Sequence, residues 1–157
     1  MDEGEIEPAE ILPVVGAAAH REDVRHAASI DVNDEALAEV EANLERSRET
    51  LARFFDIALT SREGPGFLRY SAGGFYKPHR DRAPSSVWPD AERRRLTLVL
   101  FLNDDFHGGE LRLRPERASP VVIHPRTGTL IAFDAAVVHE VLPVTEGRRY
   151  TVVDWWL

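Results

Sequence analysis

The sequence has 157 residues, of which 43% are apolar and 29% charged, with a formal net charge of -8. That length suits one domain, and the acidic balance disfavours nucleic acid as a partner. The absence of cysteine excludes disulfides, thiolate catalysis and Cys-ligated zinc or iron–sulfur centres, so any metal must be held by His, Asp or Glu.

The chain opens on "MDEGEIEPAE", which is acidic and lacks the basic-then-apolar pattern of a signal peptide. No apolar run reaches the roughly 18–20 residues that span a bilayer. The expectation is a cytoplasmic protein with no membrane partner. "ILPVVG" (11–16) reads as a short strand or turn, and "AAAHREDVRHAA" (17–28) as a brief helix or linker. Asn33 or Asp34 then supplies a short polar acceptor for free N–H groups at a helix start. Leu37, Val40, Leu44, Leu51 and Phe54–Phe55 recur at spacings near three and four, which predicts one amphipathic helix over about 34–58.

Beyond "SREGPG" the texture changes. Short runs such as "FLRY", "LTLVLFLN", "ELRLRP", "PVVIHP", "TLIAF", "VVHEVLPV" and "YTVVDWWL" alternate with Gly and Pro punctuation. This pattern predicts an antiparallel sandwich or barrel supported by a helix or two. "ELRLRP" alternates apolar and basic residues and so has one wet face. "LTLVLFLN" is apolar on both faces and is expected to be a central strand.

Six histidines are the first candidates for chemistry. His20 and His26 lie in polar surroundings and read as surface residues. His107 sits beside Gly108–Gly109, and His124 ends a strand before a proline; either could serve a metal site of the cupin type. His79 and Asp81 are two residues apart, so on an extended strand both face one side while Arg80 faces away. Taken alone, His-X-Asp is also what a solvated ion pair in a charged loop looks like. His139 lies in an apolar segment, where an imidazole needs a partner: either a backbone carbonyl in the core or a metal. A third ligand joining His79 and Asp81 would complete the two-His-one-carboxylate face of a non-haem iron site. In the last strand, "RRYTVVDWWL", Arg149, Thr151, Val153 and Trp155 share one face and Arg148, Tyr150 and Val152 the other. One of the two arginines is expected to point inward at an anion. Arg93–Arg95 reads as a solvated basic turn.

From Phe67 to the C-terminus the sequence resembles the iron(II)- and 2-oxoglutarate-dependent dioxygenases, in their prolyl 4-hydroxylase-like branch. The matching pieces run in order: "RYSAGGFYKPHRD", "RRLTLVLFLN", "GGELRLRP", "PRTGTLIAF" and "HEVLPVTEGRRYTVVDWW". The resemblance implies a double-stranded β-helix, a cupin-like jelly roll, mainly β with supporting α-helices. On that reading residues 1–157 form a single domain, with helical support over 1–60 and the jelly-roll core over 61–157.

It further implies that His79, Asp81 and His139 bind Fe(II), that Arg149 grips the distal carboxylate of 2-oxoglutarate, and that Tyr70 and Thr97 line the cofactor pocket. Phe101 stands where some relatives carry a cofactor-bonding tyrosine, so Thr97 or Tyr70 would have to supply the second hydrogen bond. The implied reaction consumes O2, converts 2-oxoglutarate to succinate and hydroxylates a C–H bond, with ascorbate as a possible reductant. A carboxylate at Asp81, where related halogenases carry a small residue, favours hydroxylation. The substrate is expected to be a small molecule, an amino acid or a peptidyl residue. The segment "RAPSSVWPDAERR" (82–94) is expected to act as a lid, with Arg80, Arg82 and Trp88 as candidate contacts. The competing reading is a non-catalytic jelly-roll module that binds a metal or a carboxylate.

Overall fold

The computed structural model describes residues 6–8, 23–84 and 89–157. "ILPVVG", His20, Trp88 and the middle of the expected lid lie outside the described residues. Three strands come first: β1 (Ile6–Pro8), β2 (Arg25–His26) and β3 (Ala28–Ile30). The helical support follows as two helices, α1 (Asp34–Arg46) and α2 (Arg48–Phe55), where one was expected. Asn33 caps α1, its Oδ1 accepting from the Ala36 N–H at 2.8 Å. The break falls at Ser47, whose hydroxyl and N–H both donate to the Leu44 carbonyl. A serine that bonds back to the preceding turn competes with the helix ladder, and apolar periodicity alone does not register it. α2 ends at Asp56, in the left-handed conformation with φ 53°.

Next come β4 (Gly66–Ser71), β5 (Phe75–His79), a 3-10 turn at Pro89–Arg93 and β6 (Leu96–Phe101). β7 (His107–Gly108), β8 (Leu111–Arg114), β9 (Val121–Ile123) and β10 (Leu130–Asp134) follow, and the chain closes with β11 (Val138–Val141), β12 (Val144–Glu146) and β13 (Arg148–Trp156). They form a six-stranded sheet in the order β1-β3-β4-β13-β6-β10, a five-stranded sheet in the order β2-β5-β11-β8-β9, and the pair β12-β7. All the pairings are antiparallel. This is the antiparallel double-sheet fold expected from the strand pattern, and the jelly roll that the family resemblance implied. β2 and β3 join one sheet each, so the segment read as a brief helix or linker is in part strand, and 1–60 contributes more than helices.

β6 and β13 are both interior strands of their sheet, and β6 is largely apolar on both faces, as "LTLVLFLN" suggested. Their outward residues Leu96, Leu98, Val152 and Trp156 are buried with Leu44, Leu59 and Phe67, and Leu37, Val40, Leu51 and Phe55 pack against them from the helices. Their inward residues are buried between the sheets, where Val99 and Phe101 join Leu111 and Phe133. The period-two alternation of one strand thus serves two cores. β8 behaves as read: Leu111 is buried, while Arg112 and Arg114 turn outward and both reach Glu140. No helix among the described residues is long and apolar enough to cross a membrane.

Candidate metal centre and anion site

The strand register builds the metal centre. His79 closes β5 and His139 sits on β11 as its direct cross-strand partner, which places the two rings 4.2 Å apart. Asp81 lies two residues beyond His79, and its N–H donates to the Ala135 carbonyl at 3.1 Å. Asp81 Oδ1 is 3.4 Å from His79 Nε2, and Oδ2 is 3.3 Å from His139 Nε2. One ligand atom from each of the three residues falls within 4.8 Å of the others, a donor set and spacing that fit one divalent iron.

The surroundings fit the same task. His79 Nδ1 lies 2.8 Å from the Lys77 carbonyl, and His139 Nδ1 3.0 Å from the Val137 carbonyl. A carbonyl only accepts, so in the neutral ring each Nδ1 carries the proton and each Nε2 offers its lone pair to the centre. Tyr76 stacks on His79 at 3.5 Å between centroids, and Phe133 meets His139 edge-on at 4.8 Å. Asp81 Oδ2 accepts from Thr97 Oγ1 at 2.7 Å and from Trp155 Nε1 at 2.9 Å. Two donors occupy the lone pairs of Oδ2, leaving Oδ1 as the oxygen open to a cation.

Burial pushes the Asp81 carboxyl upward, yet His139 and His79 outweigh it and hold Asp81 well below the usual carboxylate range. Burial likewise depresses His139, but the charge and hydrogen bond of Asp81 prevail and raise it. His79 is lowered, by burial first and by His139 second.

The second element is Arg149. It is 1% exposed and faces the interior of the barrel, while Arg148 is exposed; the inward arginine anticipated from strand phase is this one. Its guanidinium carbon lies 4.9 Å from the Tyr70 ring centre and 5.2 Å from that of Phe101. Nη1 donates to Thr151 Oγ1 at 3.1 Å, and the buried Nε has no hydrogen-bond partner. Among the described residues no acid pairs with it, and burial brings its pKa down to about 10. Gly109 permits this packing: a Cβ there would stand 2.9 Å from Arg149 Cδ, at a φ of +66° that favours glycine.

Several expectations change on contact with the geometry. Thr97 spends its single hydroxyl proton on Asp81, so while that bond holds it cannot donate to a cofactor. Tyr70 is buried with its ring against Arg149. His107 and His124 are exposed and stand apart from the metal cluster, which removes the cupin-type alternative. Arg80 bonds the Ala136 carbonyl and Glu116, and Arg82 bonds Asp134, so both lid-side arginines already have partners. Arg94 is not solvated: it is 4% exposed and paired with Glu63. Sequence reasoning also missed Trp155 as a partner of Asp81. The signal was available, since a tryptophan in phase with Arg149 must find an acceptor for its N–H.

A jelly roll with a His-Asp-His cluster on one sheet and an inward arginine on the other defines the class of non-haem iron oxygenases. The family model of the 2OG-Fe(II) oxygenase superfamily matches residues 65–157. The chain belongs to that superfamily. A PKHD-type hydroxylase of Nitrobacter winogradskyi is 39% identical over 95 residues, covering 58% of this chain and 42% of the relative. The chain thus spans about two fifths of the length of that curated relative. A Pseudomonas putida prolyl-4-hydroxylase structure matches with 27% identity and a TM-score of 0.71, over 86% of this chain and 73% of that one. A Trichoplax adhaerens prolyl hydroxylase, in complex with a hypoxia inducible factor peptide fragment, shares the fold with 21% identity and a TM-score of 0.71, over 97% of this chain and 70% of that one.

Proposed function

We propose that the chain is the catalytic core of an Fe(II)- and 2-oxoglutarate-dependent hydroxylase acting on a C–H bond of a small molecule, an amino acid or a peptidyl residue. The observation that carries this reading is a buried arginine without an acid partner among the described residues, on the same inner strand face as the tryptophan that braces the metal cluster. On β13, Val153 lies between Arg149 and Trp155, with Val99 as its partner on β6, and the two are half-buried and buried. A cation at one end, a metal at the other and an apolar middle match a short dicarboxylate with methylenes between its charges.

His79 Nε2, His139 Nε2 and Asp81 would hold the iron. When bound, iron with 2-oxoglutarate and O2 supplies the oxidising chemistry that yields succinate, CO2 and a hydroxylated product. The chain's own residues bind and orient. Arg149 and Thr151 receive the distal carboxylate, and Tyr70 and Phe101 flank the guanidinium and keep water from it. Thr97 and Trp155 keep Asp81 aimed. The likeness to the Pseudomonas putida enzyme supports including free or peptidyl proline among the substrates to test, and a cytoplasmic setting is part of the same proposal.

The test supplies purified protein with Fe(II), ascorbate, 2-oxoglutarate and air, and follows succinate together with a gain of one oxygen on candidate substrates by mass spectrometry. The expected result is succinate formation that His79→Ala and Arg149→Met abolish. Binding of iron and 2-oxoglutarate without turnover across a broad panel would instead make the chain a binding module.

A further inference from the structure

Asp81 is the one metal-ligand candidate that lies outside a strand; the structure leaves the ladder at His79. Its aim must therefore come from contacts other than sheet pairing. One residue meets Asp81 directly and also packs on a second of its partners. Arg94, directly after the 3-10 turn, is 4% exposed. Its Nη1 donates to the Asp81 carbonyl at 3.2 Å. Its guanidinium carbon lies 3.8 Å from the Trp155 ring centre, and the indole N–H of that ring donates to Asp81 Oδ2. Nε and Nη2 bond both oxygens of Glu63, at 2.5 and 2.8 Å. The Arg94 carbonyl accepts from Arg82 at 3.3 Å, tying the two ends of the 82–94 connection together.

We propose that Arg94, clamped by Glu63, is a positioning residue for the metal-binding carboxylate, fixing the Asp81 main chain directly and its Oδ2 through the Trp155 indole. The geometry specifies arginine. A planar fork can bind a carboxylate on one edge, donate to a carbonyl on another and lie flat on an indole at once; an ammonium offers no such plane. The bidentate Glu63 contact removes rotational freedom from the fork, so the indole and the Asp81 carbonyl meet a rigid partner. With Arg94 in place, Oδ2 stays on its two donors beside His139 and Oδ1 faces His79. Without it, Trp155 can turn, one donor leaves Oδ2, and either oxygen can face the ion. Outer partners of metal-binding carboxylates typically change metal affinity about 10- to 100-fold.

This inference rests on the metal-centre reading, and the experiment separates the two. Divalent cobalt is titrated into metal-free protein, recording affinity and visible absorption alongside the melting temperature. Arg94→Lys keeps the charge and a contact to Glu63 but loses the fork and the stack. Glu63→Leu/Arg94→Met replaces the ion pair by an apolar pair of similar bulk, so that no buried charge is stranded. Both are expected to bind cobalt about 10- to 100-fold more weakly, with altered absorption bands. His79→Ala is the control for the site itself. If parent and His79→Ala bind cobalt alike, the metal-centre reading fails. If His79→Ala loses cobalt while either folded Arg94 variant binds within twofold of the parent and with its spectrum, the positioning role is overturned and Arg94 is structural.

Discussion

Arg149→Met is the most informative single change. In the folded chain Arg149 is a buried cation without an acid partner among the described residues, and its pKa falls to about 10. A base whose folded pKa is depressed opposes folding while it is charged, and removing the charge removes that cost. The drop from an ordinary arginine value corresponds to roughly 3 kcal/mol. Against it stand two aromatic contacts, to Tyr70 and Phe101, of about 1 kcal/mol each. Methionine fills most of the volume. The metal-free variant should therefore melt no lower than the parent, within about 1 kcal/mol. The ligand response should differ sharply. At a 2-oxoglutarate concentration 100 times its Kd, the parent gains about 2.7 kcal/mol, or roughly 5–11 °C for a chain of this size. The variant should gain almost nothing. The assay is thermal unfolding with and without 2-oxoglutarate, with Mn(II) in the site so that no turnover intrudes. A variant several kcal/mol less stable than the parent, yet still shifted by 2-oxoglutarate to the same extent, would refute the assignment of Arg149 as an anion receptor.

The other expectations are independent of that one. His139→Ala should abolish tight binding of divalent cobalt by removing one of three ligands, which a titration followed by visible absorption reads directly. The proton on His139 is held above its usual range by Asp81, which outweighs burial, and a metal must displace it. Cobalt affinity should therefore decline as pH falls, beginning above about pH 6.5; a flat profile from pH 8 to 6 would count against the cluster. Gly109→Ala should weaken 2-oxoglutarate binding measured by calorimetry, since its Cβ would displace Arg149, and the positive φ should cost about 1 kcal/mol of stability besides. Leu98→Ala, whose side chain lies in the core beneath the helices on the face of β6 opposite Thr97, should cost about 2–5 kcal/mol in denaturant unfolding and leave metal affinity unchanged.

Much of the site was legible in the chain because its signals are local. His79 and Asp81 are two residues apart, and strand period put Arg149 in phase with Trp155 and out of phase with Arg148, although the family resemblance was needed to say which face lies inward. Asn33 announced its helix by chemistry that acts within one turn. What was not legible depends on partners far along the chain. The bond from the Thr97 hydroxyl to Asp81 became visible only once register set the two within reach. Nothing in "RRR" distinguishes Arg94 from its neighbours; its burial follows from Glu63, 31 residues earlier, and from the indole of Trp155. Strands β2 and β3 were obscured because two- and three-residue strands carry too little periodicity to be seen. The helix break at Ser47 depends on a hydroxyl choosing a backbone carbonyl, and apolar spacing continues unbroken past it.

The two cores served by β13 have a consequence for how this chain tolerates changes of length. Arg149, Thr151, Val153 and Trp155 furnish the interior site, while Val152 and Trp156 seal the helices against the sheet. Deleting or inserting one residue ahead of Arg149 exchanges the two sets: the arginine would turn to the outer face and Tyr150 or Arg148 would stand in its place. Point substitutions there can be graded, but a shift of frame is all-or-none, costing fold and site together. Room for insertions lies instead in exposed connections such as 116–120, where added length alters neither set.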